Sequence, residues 1–196
     1  MMTDRFAYLK LRLARGPAAR AALVAALETG GLTGGRTLGL FTAQLGWEAS
    51  EAVILARANG EGPVTLSDGA LAQSLETVSM TPTARPLSGA MLRPGGVWVH
   101  RRFDVKASDV EPFVALSVSA WPDFEARFDA QIFGLFRLDA PPGAEEASLL
   151  LITRYGDHGV WEASRDPTTE AMQTFLRRAA LTLRTQAAST LLTMAG

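Results

Sequence analysis

The sequence predicts an α+β protein made of two successive β-α-β-β-α-β units, and three observations support this class. The chain has 196 residues, enough for one large domain or two small ones. The tripeptide Gly-Leu-Phe at 39–41 and the dipeptide Glu-Ala at 51–52 recur at 134–136 and 146–147, at a common offset of 95 residues. The elements predicted around the two copies also follow the same order.

The first half begins with a strand and a helix. Residues 6–13 are apolar with Lys10 and Arg12 on alternate positions, the pattern of a strand with one buried face. Residues 18–27 are mostly alanine and leucine, which favour a helix.

A hairpin and two further elements complete the first half. Residues 37–44 and 51–57 predict two strands joined by a short polar link. Residues 67–77 predict a second helix. Residues 78–87 contain two prolines, which cannot donate to a strand ladder, so an edge strand is expected there.

The second half repeats this order after a Pro-Gly-Gly boundary. Strands are predicted at 97–105, 132–138, 147–155 and 185–194. Ser108 and Glu111 match a capping box at the start of one helix. Asp166 and Pro167 predict the N-cap and first residue of the other. Its inward-facing residues are expected to be Ala171, Phe175, Leu176 and Ala179.

Each half therefore matches the split βαβ unit of the ferredoxin-like fold. Such a sheet carries helices on one face only, so its other face must be covered. We expect two units, residues 1–93 and 94–196, to pack their antiparallel sheets together as one fused pseudo-twofold barrel. The fold is thus a tandem ferredoxin-like α+β barrel within one chain, with a cavity or a packed core between the sheets.

Charge and cysteine content exclude several classes of function. The formal net charge is -1, from 19 basic and 20 acidic residues, which argues against nucleic-acid binding. The absence of cysteine removes thiolate chemistry and cysteine-ligated metals, and fits a cytoplasmic protein. No apolar run approaches the length of about 20 residues that a membrane-spanning helix needs. We expect neither a signal peptide nor a membrane partner.

His100 is the first candidate for chemistry. It shares one side of its strand with Trp98 and Arg102, and either side could face the barrel. In a cavity His100 could act as a general base or as an axial haem ligand. The alternative, which we favour, is a histidine on a partly exposed strand bonded to a neighbour.

The second candidate is the segment 154–158 at the end of a strand. Arg154 could hold a carboxylate, and His158 could act as an acid or base with Asp157 raising its pKa. The favoured alternative is that Asp157 caps a helix at 159–164 and that His158 is exposed.

Two further groups of residues remain ambiguous. Arg101 and Arg102 point to opposite faces of one strand, and an arginine facing inward would need an anionic partner or a ligand. The four tryptophans could line an aromatic pocket, although core packing is the more usual role. A zinc site is not expected with two histidines and no cysteine.

Three stretches carry a resemblance to a known family. They are 97–105 (VWVHRRFDV), 120–125 (AWPDFE) and 159–165 (GVWEASR). In these the chain resembles the NIPSNAP-like branch of the dimeric α+β barrel superfamily, most clearly in the second half. The resemblance implies the tandem ferredoxin-like architecture. Relatives in the superfamily include small monooxygenases, polyketide-type cyclases and haem-dependent peroxidases, so the fold alone does not choose an activity.

The leading functional hypothesis is a protein that binds a small apolar or aromatic metabolite between the sheets, or a small cofactor-independent enzyme. The expected lining residues are His100, Arg102, Arg154 and Tyr155, with His100 and His158 as catalytic candidates. The alternatives are a non-catalytic structural or interaction protein with a packed barrel and, third, a haem-binding enzyme. No cofactor or metal is otherwise predicted. We expect the chain to self-associate.

Overall fold

The computed structural model describes residues 4–60, 62–87 and 89–196. Its strands are β1 (Phe6–Arg12), β2 (Leu32–Thr33), β3 (Gly35–Leu45), β4 (Glu51–Ala58), β5 (Thr65–Leu66), β6 (Ser74–Pro82), β7 (Val97–Lys106), β8 (Ala130–Leu138), β9 (Glu146–Tyr155) and β10 (Thr182–Ala195). Its helices are α1 (Pro17–Glu28), α2 (Val110–Arg127), α3 (His158–Ala163) and α4 (Glu170–Ala179). Within these described residues, none of the helices is both long and apolar enough to cross a membrane.

Eight of the strands form a closed antiparallel barrel. The order around the ring is β1-β4-β3-β10-β7-β9-β8-β6, while β2 and β5 form a separate two-stranded sheet. The ring therefore contains the ferredoxin-like order twice, as β6-β1-β4-β3 and β10-β7-β9-β8. The ladders β3–β10 and β6–β8 close it. The predicted fold class is confirmed, and the division at residues 93 and 94 stays a prediction.

Apolar side chains pack in three layers. The barrel interior holds Phe6, Phe41, Val53, Leu55, Met80, Leu92, Trp98, Phe133, Phe136, Leu150 and Ile152. On the outside, α1 covers the first sheet through a cluster that includes Leu23 and Leu27. The second sheet is covered by α2 and α4, through a cluster that includes Phe113 and Trp121. Helices thus cover each sheet on one face, and the two remaining faces meet inside the barrel.

The helix predicted at 67–77 is wrong. Gly69–Leu71 forms only a short 3-10 turn, which begins where the Asp68 side chain accepts a hydrogen bond from the Ala70 N–H. From Ser74 onward the backbone pairs with β1 instead, in the register Arg12↔Ser74. The free edge of β1 supplies ladder partners that the isolated segment lacks, and this tertiary pairing overrides local helix preference.

The edge strand predicted at 78–87 is also corrected. The strand is β6, which starts earlier and has a neighbour on each side: β1 along its length and β8 at its end. Pro82 is its last residue, opposite Phe136, where a missing N–H donor costs the ladder least. Closure of the barrel removes the free edge that the prediction assumed.

Two helix starts and one helix face also differ from the prediction. Helix α4 is capped by Thr169, whose hydroxyl accepts from the Met172 N–H, whereas Asp166 accepts from Thr168 in the preceding turn. No side chain caps α2, because Ser108 lies in a 3-10 turn before it. Of the residues expected to face inward from α4, Ala171 is buried and Phe175 is partly buried, but Leu176 and Ala179 are exposed.

Candidate ligand-binding site

One end of the barrel interior is an open cavity of about 890 Å³. Its lining comes from the β3–β4 turn and from seven of the eight barrel strands. The lining residues are Tyr8, Lys10, Gly46, Trp47, Glu48, Glu51, Glu76, Val78, His100, Arg102, Leu138, Leu150, Gln186, Ala187 and Ala188. The other end of the barrel is filled by the aromatic and aliphatic side chains of the interior cluster. The space between the sheets therefore contains both a packed core and a cavity.

The two central strands change from apolar to charged toward the cavity mouth. The inward residues of β1 are Phe6, Tyr8, Lys10 and Arg12. The inward residues of β7 are Trp98, His100, Arg102 and Asp104. Because alternate residues of a strand share one face, this order places a tyrosine and a histidine at the same depth, between core and rim.

Tyr8 and His100 meet across the barrel at this depth. The Tyr8 hydroxyl lies 2.9 Å from Nδ1 of His100. The imidazole is 3% exposed and is packed among aromatic rings, with centroid distances of 4.7 Å to Phe41 and 5.4 Å to Trp47. Its Nε2 atom is buried without a hydrogen-bond partner among the described residues. A buried polar atom that has no hydrogen-bond partner costs free energy.

Both members of the pair are neutral near pH 7. Burial lowers the pKa of His100 to about 3, because an apolar environment disfavours the imidazolium. Burial, together with the charge of Glu51, raises the pKa of Tyr8 well above its usual value. We assign the Tyr8 O–H as donor to Nδ1 of His100, so Nδ1 is the acceptor and the imidazole proton is on Nε2. There the N–H faces aromatic rings and has no hydrogen-bond acceptor among the described residues.

The cations at the rim are already neutralised by carboxylates. Lys10 Nζ lies 2.8 Å from Glu51, and Arg102 Nε lies 3.2 Å from Asp104. Burial opposes ionisation of Asp104, but hydrogen bonds from Ser148 and Arg184 hold its pKa below the usual range. The mouth of the cavity therefore offers no unpaired lysine or arginine among the residues that line it.

Trp47 forms one wall of the cavity from the β3–β4 turn. The preceding Gly46 has φ +87°, and a Cβ there would lie 2.7 Å from the Ala187 carbonyl oxygen of β10. Glycine is thus required both by the left-handed backbone and by the close approach of β10. Lys10 Nζ lies 5.4 Å from the centre of the Trp47 ring, a cation–π distance that helps to hold the indole in place.

The structure separates the residues predicted for the site. His100 and Arg102 line the cavity. Arg154 and Tyr155 do not: Arg154 pairs with Asp129 at 2.9 Å, and Tyr155 packs in the helix-covered cluster outside the barrel. His158 is exposed at the start of α3, where Asp157 accepts a hydrogen bond from the Val160 N–H, so the capping interpretation is confirmed.

Tyr8 is the site residue that sequence reasoning missed, whereas Trp47 was one of four tryptophans offered for an aromatic pocket. The alternation of residues 6–13 predicts a strand with one buried face, but both faces are covered: Leu9 and Leu11 pack beneath α1, while Tyr8 and Lys10 face the cavity. The signal in the sequence is that Tyr8 lies between apolar Phe6 and charged Lys10 on one face of the strand, which is the position expected at the border between core and cavity. Of the tryptophans, Trp47 lines the cavity and Trp98 lies in the interior core, whereas Trp121 and Trp161 belong to the helix layer.

Comparison with solved structures gives the same fold over nearly the whole chain. An anthrone oxidase-like protein matches with a TM-score of 0.68 and 12% identity, over 98% of this chain and 92% of that one. A ferredoxin-fold protein of Listeria monocytogenes related to antibiotic biosynthesis monooxygenases has a TM-score of 0.55 and 12% identity, over 98% and 96%. The heme-degrading enzyme of the same species has a TM-score of 0.50 and 9% identity, over 93% and 97%.

These similarities define the class by its fold. The chain has the dimeric α+β barrel, ferredoxin-like fold of these structures, and at identities of 9% to 12% the similarity shows the fold alone. No protein-family model matches the chain, and no curated protein matches it.

Haem is the cofactor that some members of this fold suggest, and the residues present do not fit it. His100 is the histidine inside the barrel, but its Nε2 is buried against aromatic rings rather than open to the cavity, so iron could not reach it in this arrangement. Haem also carries two propionates, whereas Lys10 and Arg102 are already paired with carboxylates. Nor do the described residues contain a cluster of three or more acidic or histidine side chains able to hold a metal ion.

Proposed function

We propose that the protein binds a neutral aromatic metabolite in the cavity above Tyr8 and His100. The observation that carries the proposal is an opening of about 890 Å³ that is lined by the rings of Trp47 and Tyr8 and by aliphatic side chains, and whose lysine and arginine are both paired with carboxylates. Pockets for small metabolites usually combine an apolar wall with a small number of placed polar groups. The Tyr8 hydroxyl, which keeps a free lone pair while it donates to His100, would accept a hydrogen bond from a ligand hydroxyl.

The charges at the rim favour a neutral ligand over an anion. Lys10 and Arg102 each face a carboxylate, and Glu76 adds a negative charge to the lining. A carboxylate ligand would therefore have to compete for cations that are already paired and would meet acidic side chains on entry. An uncharged ligand enters without this penalty.

Binding is favoured over proton-transfer catalysis by the basicity of His100. A general base works best with a pKa near the operating pH, whereas burial brings the pKa of His100 to about 3. An imidazole so weakly basic accepts a hydrogen bond but holds a proton poorly at neutral pH. The pair is thus better suited to orient a hydroxylated ligand than to deprotonate one.

Isothermal titration calorimetry with 1-naphthol and 1-naphthoate tests the proposal. We expect 1-naphthol to bind the wild-type protein, 1-naphthoate to bind at least about ten times more weakly, and Tyr8→Phe to weaken 1-naphthol binding. Tyr155→Phe is the matched control, because it removes a tyrosine hydroxyl outside the cavity. Equal binding of the two compounds, or loss of binding in Tyr155→Phe but not in Tyr8→Phe, would contradict the proposal.

We also propose that the chain is NIPSNAP-like within this superfamily. Support comes from the stretches 97–105, 120–125 and 159–165, which fall on β7, on α2 and around α3 of the second half. We expect relatives that align through these stretches to carry a tyrosine at the position of Tyr8 as well. A phenylalanine there throughout would argue against a shared site.

A further inference from the structure

Three arginines lie on the helix-covered side of the second sheet, outside the barrel. Arg101 is on the outward face of β7, opposite Ala187 of β10. Arg178 comes from α4 and is 5% exposed. Arg165 follows α3 and is partly buried.

Arg178 is held by aromatic rings and one hydroxyl. Its guanidinium carbon lies 4.9 Å from the centre of the Phe103 ring and 5.0 Å from that of Phe113, and its Nη1 donates to Ser117 Oγ at 3.1 Å. Phe103 is two residues from Arg101 on the same face of β7, which brings the β7 and α4 arginines to one region. These contacts position the guanidinium but do not balance its charge.

No carboxylate of the described residues balances any of the three. Neither Arg101, Arg165 nor Arg178 forms a salt bridge, although eight other arginines in the described part of the chain do. The Nε of Arg165 is buried without an acceptor, and its Nη2 reaches only the Tyr155 hydroxyl, at 3.3 Å. Buried charges without partners are costly, so such a cluster indicates a missing counter-ion.

The pKa values of two of these arginines are lowered by burial and by the positive charge of the others, as expected if the three lie close together. Burial, and then the charge of Arg165, lowers the pKa of Arg101. Burial, and then the charge of Arg101, lowers the pKa of Arg178 to about 9. The cluster also has a route to solvent along β10, because Thr185, which lies opposite Phe103 on the same face of the sheet, is exposed.

We propose that Arg101, Arg165 and Arg178 form a binding site for a tetrahedral dianion of the phosphate class. Guanidinium groups bind phosphate oxygens through paired N–H donors, and a dianion offsets more of three positive charges than a carboxylate does. The buried Nε of Arg165 and the exposed flank of β10 give the anion a donor and an approach. This site is separate from the cavity inside the barrel.

Thermal unfolding with inorganic phosphate tests the site, with sodium chloride used to hold ionic strength constant. We expect phosphate to raise the Tm of the wild-type protein by several degrees, because a ligand that binds only the folded state stabilises it. Arg101→Gln and Arg165→Gln should weaken phosphate binding at least about tenfold, since each removes one charged donor. Arg177→Gln is the matched control, an exposed arginine on the same helix as Arg178.

Arg178→Met provides a second test that does not depend on the first two variants. It keeps the aliphatic contact with Phe103 and Phe113 but removes the charge, so it should lose the response to phosphate while folding at least as stably in chloride. An equal rise in Tm for all variants, no rise for the wild type, or an equal rise with acetate would each overturn the assignment.

Discussion

The Tyr8 hydroxyl and the Nδ1 atom of His100 lie 2.9 Å apart although the residues are 92 positions apart in the chain. Their strands, β1 and β7, are not neighbours in the barrel, so this hydrogen bond crosses the interior rather than following a ladder. It joins the two halves at the floor of the cavity. Changes at either residue therefore affect both packing and the site.

Removing the Tyr8 hydroxyl should destabilise the fold. Tyr8→Phe leaves Nδ1 of His100 buried without a donor, which costs about 1 to 3 kcal/mol of the free energy of unfolding. The double variant with His100→Leu should cost less than the sum of the two single changes, because both partners are then removed. Urea unfolding measures these differences. Additive costs, within error, would mean that the pair is not coupled.

His100 should make stability depend on pH in a defined window. The pKa is about 3 in the folded protein and about 6.5 in an unfolded chain, so between these values the unfolded state binds more protons. Stability is then full above about pH 6.5 and falls as the pH drops toward 3, by at most about 1.4 kcal/mol per pH unit.

The window from pH 5 to 6.5 isolates this effect, since carboxylates mostly titrate below it. Urea unfolding across this range should show a clear slope for the wild type and a flatter one for His100→Gln. His158→Gln, which changes an exposed histidine, should keep the wild-type slope. A wild-type slope retained in His100→Gln would contradict the assignment.

Gly46→Ala should lower the free energy of unfolding more than Gly143→Ala, a substitution at a glycine with a similar backbone conformation. Both Gly46 and Gly143 have φ near +80°, so each substitution carries about 1 to 2 kcal/mol of backbone strain. Only at Gly46 would the new Cβ meet backbone, 2.7 Å from the Ala187 carbonyl oxygen, whereas Gly143 has open space. Urea unfolding should rank Gly46→Ala as the less stable, with a shift in tryptophan emission as Trp47 moves. Equal stabilities of the two variants would show that the β3–β4 turn can shift away from β10 at no cost.

The architecture could be predicted from the sequence because it follows from repetition and from the order of apolar segments. Gly-Leu-Phe at 39–41 and 134–136 marks equivalent strands, and Phe41 and Phe136 both lie in the barrel interior. The segment 67–77 failed because its conformation is set by β1, a strand distant in sequence, and not by its own composition.

The site was only partly predictable, for a different physical reason. Alternation identifies two faces of a strand but does not say which face is covered by helices and which by the opposite sheet. For β7, alternation could not show whether His100 or Arg101 faces the barrel interior. For β1, it did not show that the face carrying Tyr8 lines the cavity. The meeting of Tyr8 with His100 depends on barrel closure, which no local pattern records.

The fusion of two units has a consequence for how a ligand could sit. Ile54 and Leu149 are equivalent at offset 95, and their partners in the ladders are Leu9 and Phe103. The counterpart of Tyr8 is therefore Arg102, and that of His100 is Phe6. A symmetric pair of identical units would present the same groups on both sides and accept a ligand equally in two orientations. Here the two sides differ, so a bound molecule can be held one way round.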